Sequence, residues 1–211
     1  MDPRSRTIVF HGEDSWNVVR AVRELGLGPA LRRFFVVGAL YYDDALRTLL
    51  QRGVELAVVR NLLPSGHELL RLQAPGIRGR FEWPLPSGVA SWDEIRSEVA
   101  DLRIVAESFG LSLDRLDLAP VAKVRSTIFY GRLLRRRLPH LSVVAEYVWA
   151  ARPDEEDEEA FRAAGAFLRI RAGDAPKNGF SWIVRRVVRY GLVTVPFGPY
   201  ECALRALGEG A

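Results

Sequence analysis

Residues 7–59 read TIVFHGEDSWNVVRAVRELGLGPALRRFFVVGALYYDDALRTLLQRGVELAVV, and this stretch decides the predicted fold. Three short apolar runs, at residues 7–10, 34–37 and 54–59, have the length and composition of buried strands. Between them, apolar residues recur at helical spacing from Trp16 to Leu25 and from Ala45 to Leu50. Strands that alternate with helices of roughly ten residues predict a βαβ unit and a partly parallel sheet.

The chain after residue 63 is divided by proline and glycine. Short apolar runs at residues 68–73 and 80–83 predict edge strands or a hairpin. Ser91 and Glu94 have the spacing of a capping box, which predicts a helix that Gly110 ends. We therefore predict an α/β protein, with α+β as the alternative, in which mixed sheets carry flanking helices.

A change of composition between residues 110 and 119 predicts two small subdomains. The first is an N-terminal α/β domain over residues 1–110, and the second is a C-terminal basic α/β domain over residues 119–211. The second domain is predicted to begin with a basic helix over residues 121–138, which Pro139 ends. Its remaining predicted elements are strands at 141–150, 167–171 and 192–197, a helix at 180–190 and a strand or helix at 200–207.

The composition limits the classes of protein that fit this sequence. Cys202 is the only cysteine, which excludes an intrachain disulfide and a multi-cysteine zinc site. No apolar run approaches the roughly 20 residues that a transmembrane helix needs. The N-terminus lacks the apolar core of a signal peptide, so we expect a cytoplasmic protein without a membrane partner.

Arginine dominates the positive charge. The net charge is +4, and every basic residue except Lys123 and Lys177 is arginine. A planar guanidinium group suits phosphate oxygens, so this bias favours a protein that holds a polyanion. Heat adaptation or a GC-rich genome would also favour arginine, and both alternatives stay open.

Known catalytic signatures are absent from the sequence. It contains no phosphate-binding loop of the P-loop type and no spaced set of metal ligands or catalytic nucleophiles. Asp43 and Asp44 end a predicted strand, where paired acids can hold Mg²⁺, but no third acid lies at a suitable spacing. The six acids from Asp154 to Glu159 are interpreted as the solvated first turn of a helix. We predict no cofactor and no metal.

Two basic helix faces give the strongest signal for a binding site. On the predicted helix over residues 121–138, Arg125, Arg132 and Arg136 fall within a narrow arc at 3.6 residues per turn. Arg185 and Arg189 lie on the predicted C-terminal helix, opposite its apolar residues. We predict that these five arginines contact nucleic-acid phosphates, the alternative being an ordinary solvated surface.

The same region resembles a known family. Tyr130-x-x-Leu133-x-x-Arg136 precedes a strand, and Phe167-Leu168-Arg169-Ile170 is followed by Ser181-Trp182-x-x-x-Arg186-x-Val188-Arg189. Over residues 121–207 this order resembles the C-terminal domain of archaeal tRNA-splicing endonuclease subunits, a small α/β fold that recognises and cleaves precursor tRNA. The histidine and lysine of that family's active site have no counterpart here, because alanine and glycine fill residues 163–166 and Tyr190-Gly191-Leu192 follows the last helix. The resemblance therefore implies a non-catalytic structural subunit that needs an active partner.

The leading hypothesis is a non-catalytic, nucleic-acid-associated subunit of a heteromeric complex, which binds structured RNA such as precursor tRNA. The first alternative is a nucleotide- or Mg-dependent enzyme with a Rossmann-like N-terminal half, whose strand ends at His11-Gly12 and Gly38 to Asp44 would bind the ligand. The second alternative is a protein-assembly module that uses Trp83, Trp92 and Trp182 as anchors.

Overall fold

The computed structural model describes most of the chain. The described residues are 6–12, 14–26, 31–64, 66–74, 80–89, 91–135, 138–155, 157–172, 177–195 and 197–209. They contain nine strands: β1 (Arg6–Gly12), β2 (Leu31–Asp43), β3 (Glu55–Leu63), β4 (Glu68–Gln73), β5 (Phe81–Leu85), β6 (Ala119–Arg135), β7 (Leu138–Ala151), β8 (Arg162–Ala172) and β9 (Val193–Thr194). They also contain six α-helices: α1 (Ser15–Glu24), α2 (Thr48–Gln51), α3 (Trp92–Glu98), α4 (Leu102–Glu107), α5 (Lys177–Val188) and α6 (Pro199–Ala206).

All nine strands belong to one sheet, in the order β5-β4-β3-β2-β6-β7-β8-β1-β9. β1 pairs antiparallel with both β8 and β9, and β4 pairs antiparallel with both β3 and β5. The protein therefore combines strands and helices, as expected, with strands predominating. The βαβ unit predicted between the first two strands is not formed, because β1 and β2 are not neighbours in the sheet and both partners of β1 run antiparallel to it. A Rossmann-like arrangement is not formed at β1 for the same reason.

The largest correction concerns residues 119–135, which form strand β6 instead of a basic helix. Val121, Val124, Thr127 and Ile128 are β-branched, and Phe129 and Tyr130 are aromatic, so this stretch has the composition of a strand. The arc calculated for Arg125, Arg132 and Arg136 at 3.6 residues per turn therefore does not apply. The endonuclease resemblance also placed Tyr130 and Leu133 on a helix, and both lie in β6.

Contacts divide the chain into two compact units. Unit 1 comprises residues 1–36, 126–149 and 163–198, and unit 2 comprises residues 37–125, 150–162 and 199–211. The boundary predicted between residues 110 and 119 falls inside unit 2, and each unit draws on both predicted domains.

In unit 1, helices α1 and α5 pack on one core with β1, β7 and β8. The apolar stripe of α1, at Val18, Ala21 and Val22, and that of α5, at Ile183 and Val187, are buried in this core. The strands contribute alternate residues to it, including Val143 and Ala145 from β7 and Ala166, Leu168 and Ile170 from β8.

In unit 2, helices α3 and α4 pack with β3, β4 and β5. Ser91 caps α3 as predicted, since its side chain accepts from the Glu94 amide while the Glu94 carboxylate accepts from the Ser91 amide. The predicted single helix is two helices, because Val99 ends α3 and Asp101 begins the next. The residues buried in the core include Leu56, Leu70, Leu72, Ile95, Leu102 and Ala106.

Candidate functional site

Unit 2 contains a cavity of about 260 Å³. Four strands that are neighbours in the sheet, in the order β4-β3-β2-β6, supply most of its lining. Its volume lies near the lower end of the roughly 300–1,000 Å³ that is usual for small-molecule sites. The lining residues are Gly38, Ala39, Leu40, Val58, Arg60, Leu62, Glu68, Gly88, Val89, Lys123, Val124, Arg125 and Phe161.

Three cations meet at this cavity. Lys123 and Arg125 are two residues apart on β6, so the strand places both side chains on one face of the sheet. Arg60 comes from β3, on the other side of β2. Strand periodicity places Lys123 and Arg125 on one face, and strand order brings Arg60, from a distant part of the sequence, to the same site.

The partners of Lys123 and Arg125 leave much of their charge available. The Lys123 ammonium donates to the backbone carbonyl of Glu155 at 2.8 Å, which is a neutral acceptor. The Arg125 guanidinium lies 3.1 Å from the Glu158 carboxylate and stacks at 4.6 Å on the Phe161 ring. Since the Glu158 side chain is 81% exposed, water screens this ion pair strongly.

Of the described residues that line the cavity, only Glu68 is acidic. Glu68 is buried; its Oε2 accepts from the Gly88 amide at 2.8 Å, and its Oε1 lies 3.3 Å from Arg60 Nη1. Gly88 has φ +88°, a left-handed conformation that glycine adopts without strain. Three cations against the buried Glu68 carboxylate and the exposed Glu158 carboxylate leave the cavity with an excess of positive charge.

The remaining walls are apolar. Leu40 and Leu62 come from β2 and β3, Val89 follows the turn at Gly88, and Phe161 precedes β8. An anion that also carried an apolar or aromatic group could therefore bury that group here while its charged end met the cations.

The paired acids at the end of β2 have a structural role. Asp43 is fully buried: its Oδ1 accepts from the Asp44 and Leu49 amides at 2.9 Å each, and its Oδ2 accepts from the Leu50 amide at 3.0 Å and the Tyr200 hydroxyl at 2.9 Å. Each carboxylate oxygen therefore has two donors. These bonds anchor the start of α2 and, through Tyr200, the start of α6; we call this group of contacts the Asp43 junction.

The pKa values of Tyr200 and Asp44 shift in the directions that a structural role of Asp43 requires. Burial raises the pKa of Tyr200, and the negative Asp43 carboxylate, which accepts a hydrogen bond from the Tyr200 hydroxyl, raises that pKa further. Desolvation acts to raise the pKa of Asp44, but hydrogen bonds from the Thr48 hydroxyl and amide outweigh it and hold that pKa below its ordinary value. In the first alternative Asp43 and Asp44 belonged to the ligand-binding strand end, but backbone amides and hydroxyl groups already donate to these carboxylate oxygens.

Among the residues that the structure describes, no group of three or more His, Cys, Asp or Glu side chains could hold a metal ion. Glu68 stands alone in the cavity, and both its oxygens have protein partners. The side chains around the cavity therefore fit an anion better than a cation. No helix of the described chain is both long and apolar enough to cross a bilayer.

The five predicted nucleic-acid contacts do not form one track on one helix. Arg125 lies at the unit 2 cavity, whereas Arg132 belongs to the part of β6 in unit 1, and Arg185 and Arg189 lie in and just after α5 in the same unit. Arg136 lies outside the described residues. Among these predicted contacts, Arg125 lines the described cavity of unit 2, together with Lys123 and Arg60.

Two further predictions about exposed clusters need correction. The described part of the acidic run, from Asp154 to Glu159, forms turns and a short 3-10 helix (Glu158–Ala160), and it supplies the partners of Lys123 and Arg125. Trp83 and Trp92, expected to be exposed anchors, are partly buried against the unit 2 core. The side chain of Trp182 lies outside the described part of the structure.

The sequence contained one signal for the cavity. Lys123-Val124-Arg125 places two cations at strand spacing in a β-branched stretch, and it would have been noticed if residues 119–135 had been predicted as a strand. Arg60 and Glu68 had no such signal, because only the strand order β4-β3-β2-β6 brings them to the same cavity as Lys123 and Arg125.

No family model matches the chain, and no curated protein matches it. Solved structures do. The structure of HpAC1 from Hippeastrum, described as having a dominant triphosphatase activity, is similar over 97% of this chain and 96% of that one, with a TM-score of 0.59 and 10% identity. The PH1819 protein from Pyrococcus horikoshii OT3 is similar over 97% and 98%, with a TM-score of 0.52 and 16% identity. At these identities the likeness shows a shared fold.

This comparison overturns the leading hypothesis. The prediction of a non-catalytic subunit that binds structured RNA is wrong, because the chain shares its fold, over nearly its whole length, with a protein described as a triphosphatase. The helix that was to carry three of the RNA contacts is strand β6.

Proposed function

We propose that this protein binds a nucleoside triphosphate, or a closely related organic triphosphate, in the unit 2 cavity. The observation that carries the proposal is the meeting of Arg60, Lys123 and Arg125 at a cavity in which Glu68 is the only acidic lining residue described. The described triphosphatase activity of HpAC1, which has the same fold, supports the choice of a triphosphate.

The chemistry of the three cations suits a phosphate chain. Arg60 and Arg125 offer planar sets of donors that can grip two phosphate oxygens at once, and Lys123 adds a compact point charge. The apolar walls at Leu40, Val89 and Phe161 favour a ligand with a base or another apolar group over bare triphosphate. The ligand would replace Glu158 as the charged partner of Arg125.

Binding is tested by calorimetry of the full chain with ATP, adenosine and inorganic triphosphate, each with a chelator present. ATP should bind most tightly, inorganic triphosphate more weakly and adenosine least, because the phosphate chain supplies most of the charge. The chelator should not abolish binding, since the proposed contacts are guanidinium and ammonium groups.

The double variant Lys123→Met and Arg125→Met should weaken ATP binding by roughly 100-fold, since each charge-assisted contact contributes about 1.5–3 kcal/mol. The matched control is Arg103→Met with Arg162→Met, which removes two exposed guanidinium groups of unit 2 outside the cavity. Equal losses in both double variants, or no heat with either triphosphate, would contradict the proposal.

A further inference from the structure

Unit 1 has an exposed surface that combines arginines with a tryptophan and a valine. On α1 the residues opposite the buried stripe are Trp16, Arg20 and Arg23, and on α5 and the residue after it they are Arg185, Val188 and Arg189. We call these six residues the α1–α5 outer face. All six are exposed, Trp16 by 64% and Val188 by 52%.

The two helices present this face in the same direction. Val18 and Val22 of α1 and Ile183 and Val187 of α5 are buried in one core against the same strands, so the opposite sides of both helices point away from the sheet. The turn after α5 also lies close to the first turn of α1, because a Cβ added at Gly191 would lie 3.2 Å from Nδ2 of the Asn17 side chain.

The face has a high density of positive charge. It has four arginines, and Arg186 is exposed beside them. The sequences of α1 and α5 contain one acid, Glu24. A tryptophan this exposed is unusual in a protein surface, since indole rings bury large apolar areas when they can.

In contrast to the sequence-based expectation of no membrane partner, we propose that the α1–α5 outer face docks on an anionic lipid bilayer. Guanidinium groups attract the acidic headgroups, and an indole with an apolar body and one polar N–H prefers the interface between headgroups and acyl chains. Val188 adds apolar area to the same exposed face, so the composition of this face matches that of interfacial helices. Nucleic acid would also meet the arginines, but Val188 would gain nothing from a phosphate backbone.

The test is flotation of the full chain with vesicles of phosphatidylcholine alone or mixed with phosphatidylserine. The protein should bind only the anionic vesicles, and added salt should weaken binding because it screens the arginines. Trp16→Ser should weaken binding severalfold at constant charge. Arg20→Glu with Arg189→Glu should weaken it by at least about tenfold.

Two controls separate a specific face from general attraction. Arg103→Glu with Arg162→Glu makes the same change in net charge at exposed sites of unit 2 and should leave vesicle binding nearly unchanged. Lipids with bromine on their acyl chains should quench part of the tryptophan fluorescence of the native protein, and Trp16→Phe should remove that part. Melting temperatures of all variants check that they fold.

The proposal is overturned if anionic vesicles do not bind at low salt, or if both double variants lose binding equally. It is also overturned if duplex RNA displaces the vesicles and its own affinity does not respond to Trp16→Ser, because the face would then be a phosphate-backbone surface.

Discussion

Strand β2 contributes to two polar sites of unit 2 that differ in how completely their charges are satisfied. At the Asp43 junction, one buried carboxylate accepts four hydrogen bonds from the backbone and a tyrosine. In the unit 2 cavity, Arg60, Lys123 and Arg125 share one buried and one exposed carboxylate. A saturated site stabilises the fold, whereas a site with charge to spare can bind a ligand.

The largest effect is expected at the Asp43 junction. Asp43→Asn keeps the shape of the side chain, but it replaces one carboxylate oxygen by an NH2 group. That group is a donor, and it would face the donors from which the oxygen accepted. The free energy of unfolding should fall by roughly 3 kcal/mol or more, because buried donors lose their acceptor. Urea denaturation measures this.

Asp93→Asn is the matched control for the junction, since Asp93 is 86% exposed and should cost almost nothing. Tyr200→Phe removes one of the four donors and should cost about 1 kcal/mol. If Asp43→Asn were no more destabilising than Asp93→Asn, the contrast between the two sites would fail.

Removal of a single cation from the cavity should weaken ligand binding and change the stability of the fold little, the reverse of the change at Asp43. Lys123→Met should weaken ATP binding by about tenfold or more and change the melting temperature little, because the Lys123 acceptor given by the described residues is a neutral carbonyl, that of Glu155. Calorimetry and thermal unfolding of the same sample compare the two quantities. A large loss of stability would make Lys123 a structural residue like Asp43.

High pH should lower the stability of the fold through Tyr42, the residue before Asp43. Burial, with a smaller contribution from the negative charge of Glu94, raises the pKa of Tyr42 from 10.0 to about 12. The unfolded chain therefore releases this proton first, so the stability that Tyr42 contributes is complete below pH 10 and is lost as the pH rises to about 12. Tyr42→Phe should make the fall in melting temperature over this interval shallower; an unchanged slope would contradict the assignment.

The smallest effect is expected from a substitution of Glu158, the ion-pair partner of Arg125. Glu158→Gln removes an exposed negative charge that would compete with an anionic ligand, so ATP affinity should rise by roughly two- to fivefold. The increase should shrink as salt is added. Glu159→Gln, one residue along the same exposed turn, is the control; an equal gain there would mean that general charge, and not the contact with Arg125, is responsible.

Local sequence patterns predicted much of the fold. Strand β4 lies at residues 68–73 as predicted, the capping box at Ser91 and Glu94 is present, and α1 and α5 follow their apolar periodicity. The sheet could not be predicted in this way. Antiparallel pairing of β1 with β8 joins residues as distant in sequence as Arg6 and Ala172, and nothing in residues 6–12 identifies that partner.

The error at β6 explains why the candidate site was missed. Regular spacing of arginines suggested a helix, but β-branched and aromatic residues in the same stretch formed a strand once a sheet was available on either side. Arg125 was then grouped with Arg132 and Arg136 and separated from Lys123 and Arg60. The arginine-rich composition drew attention to Arg125, and the affinity for anions that it predicted stays a prediction.

Hydrogen exchange of amides in the four-residue helix α2 should report on the attachment of the C-terminal helix α6. A helix this short cannot protect its own amides from exchange with solvent, but the Leu49 and Leu50 amides bind the carboxylate that also holds Tyr200. Release of α6 would leave that carboxylate open to water, and deuterium would enter at Leu49 and Leu50. These two amide signals would therefore record, residue by residue, how often a helix more than 150 positions away detaches.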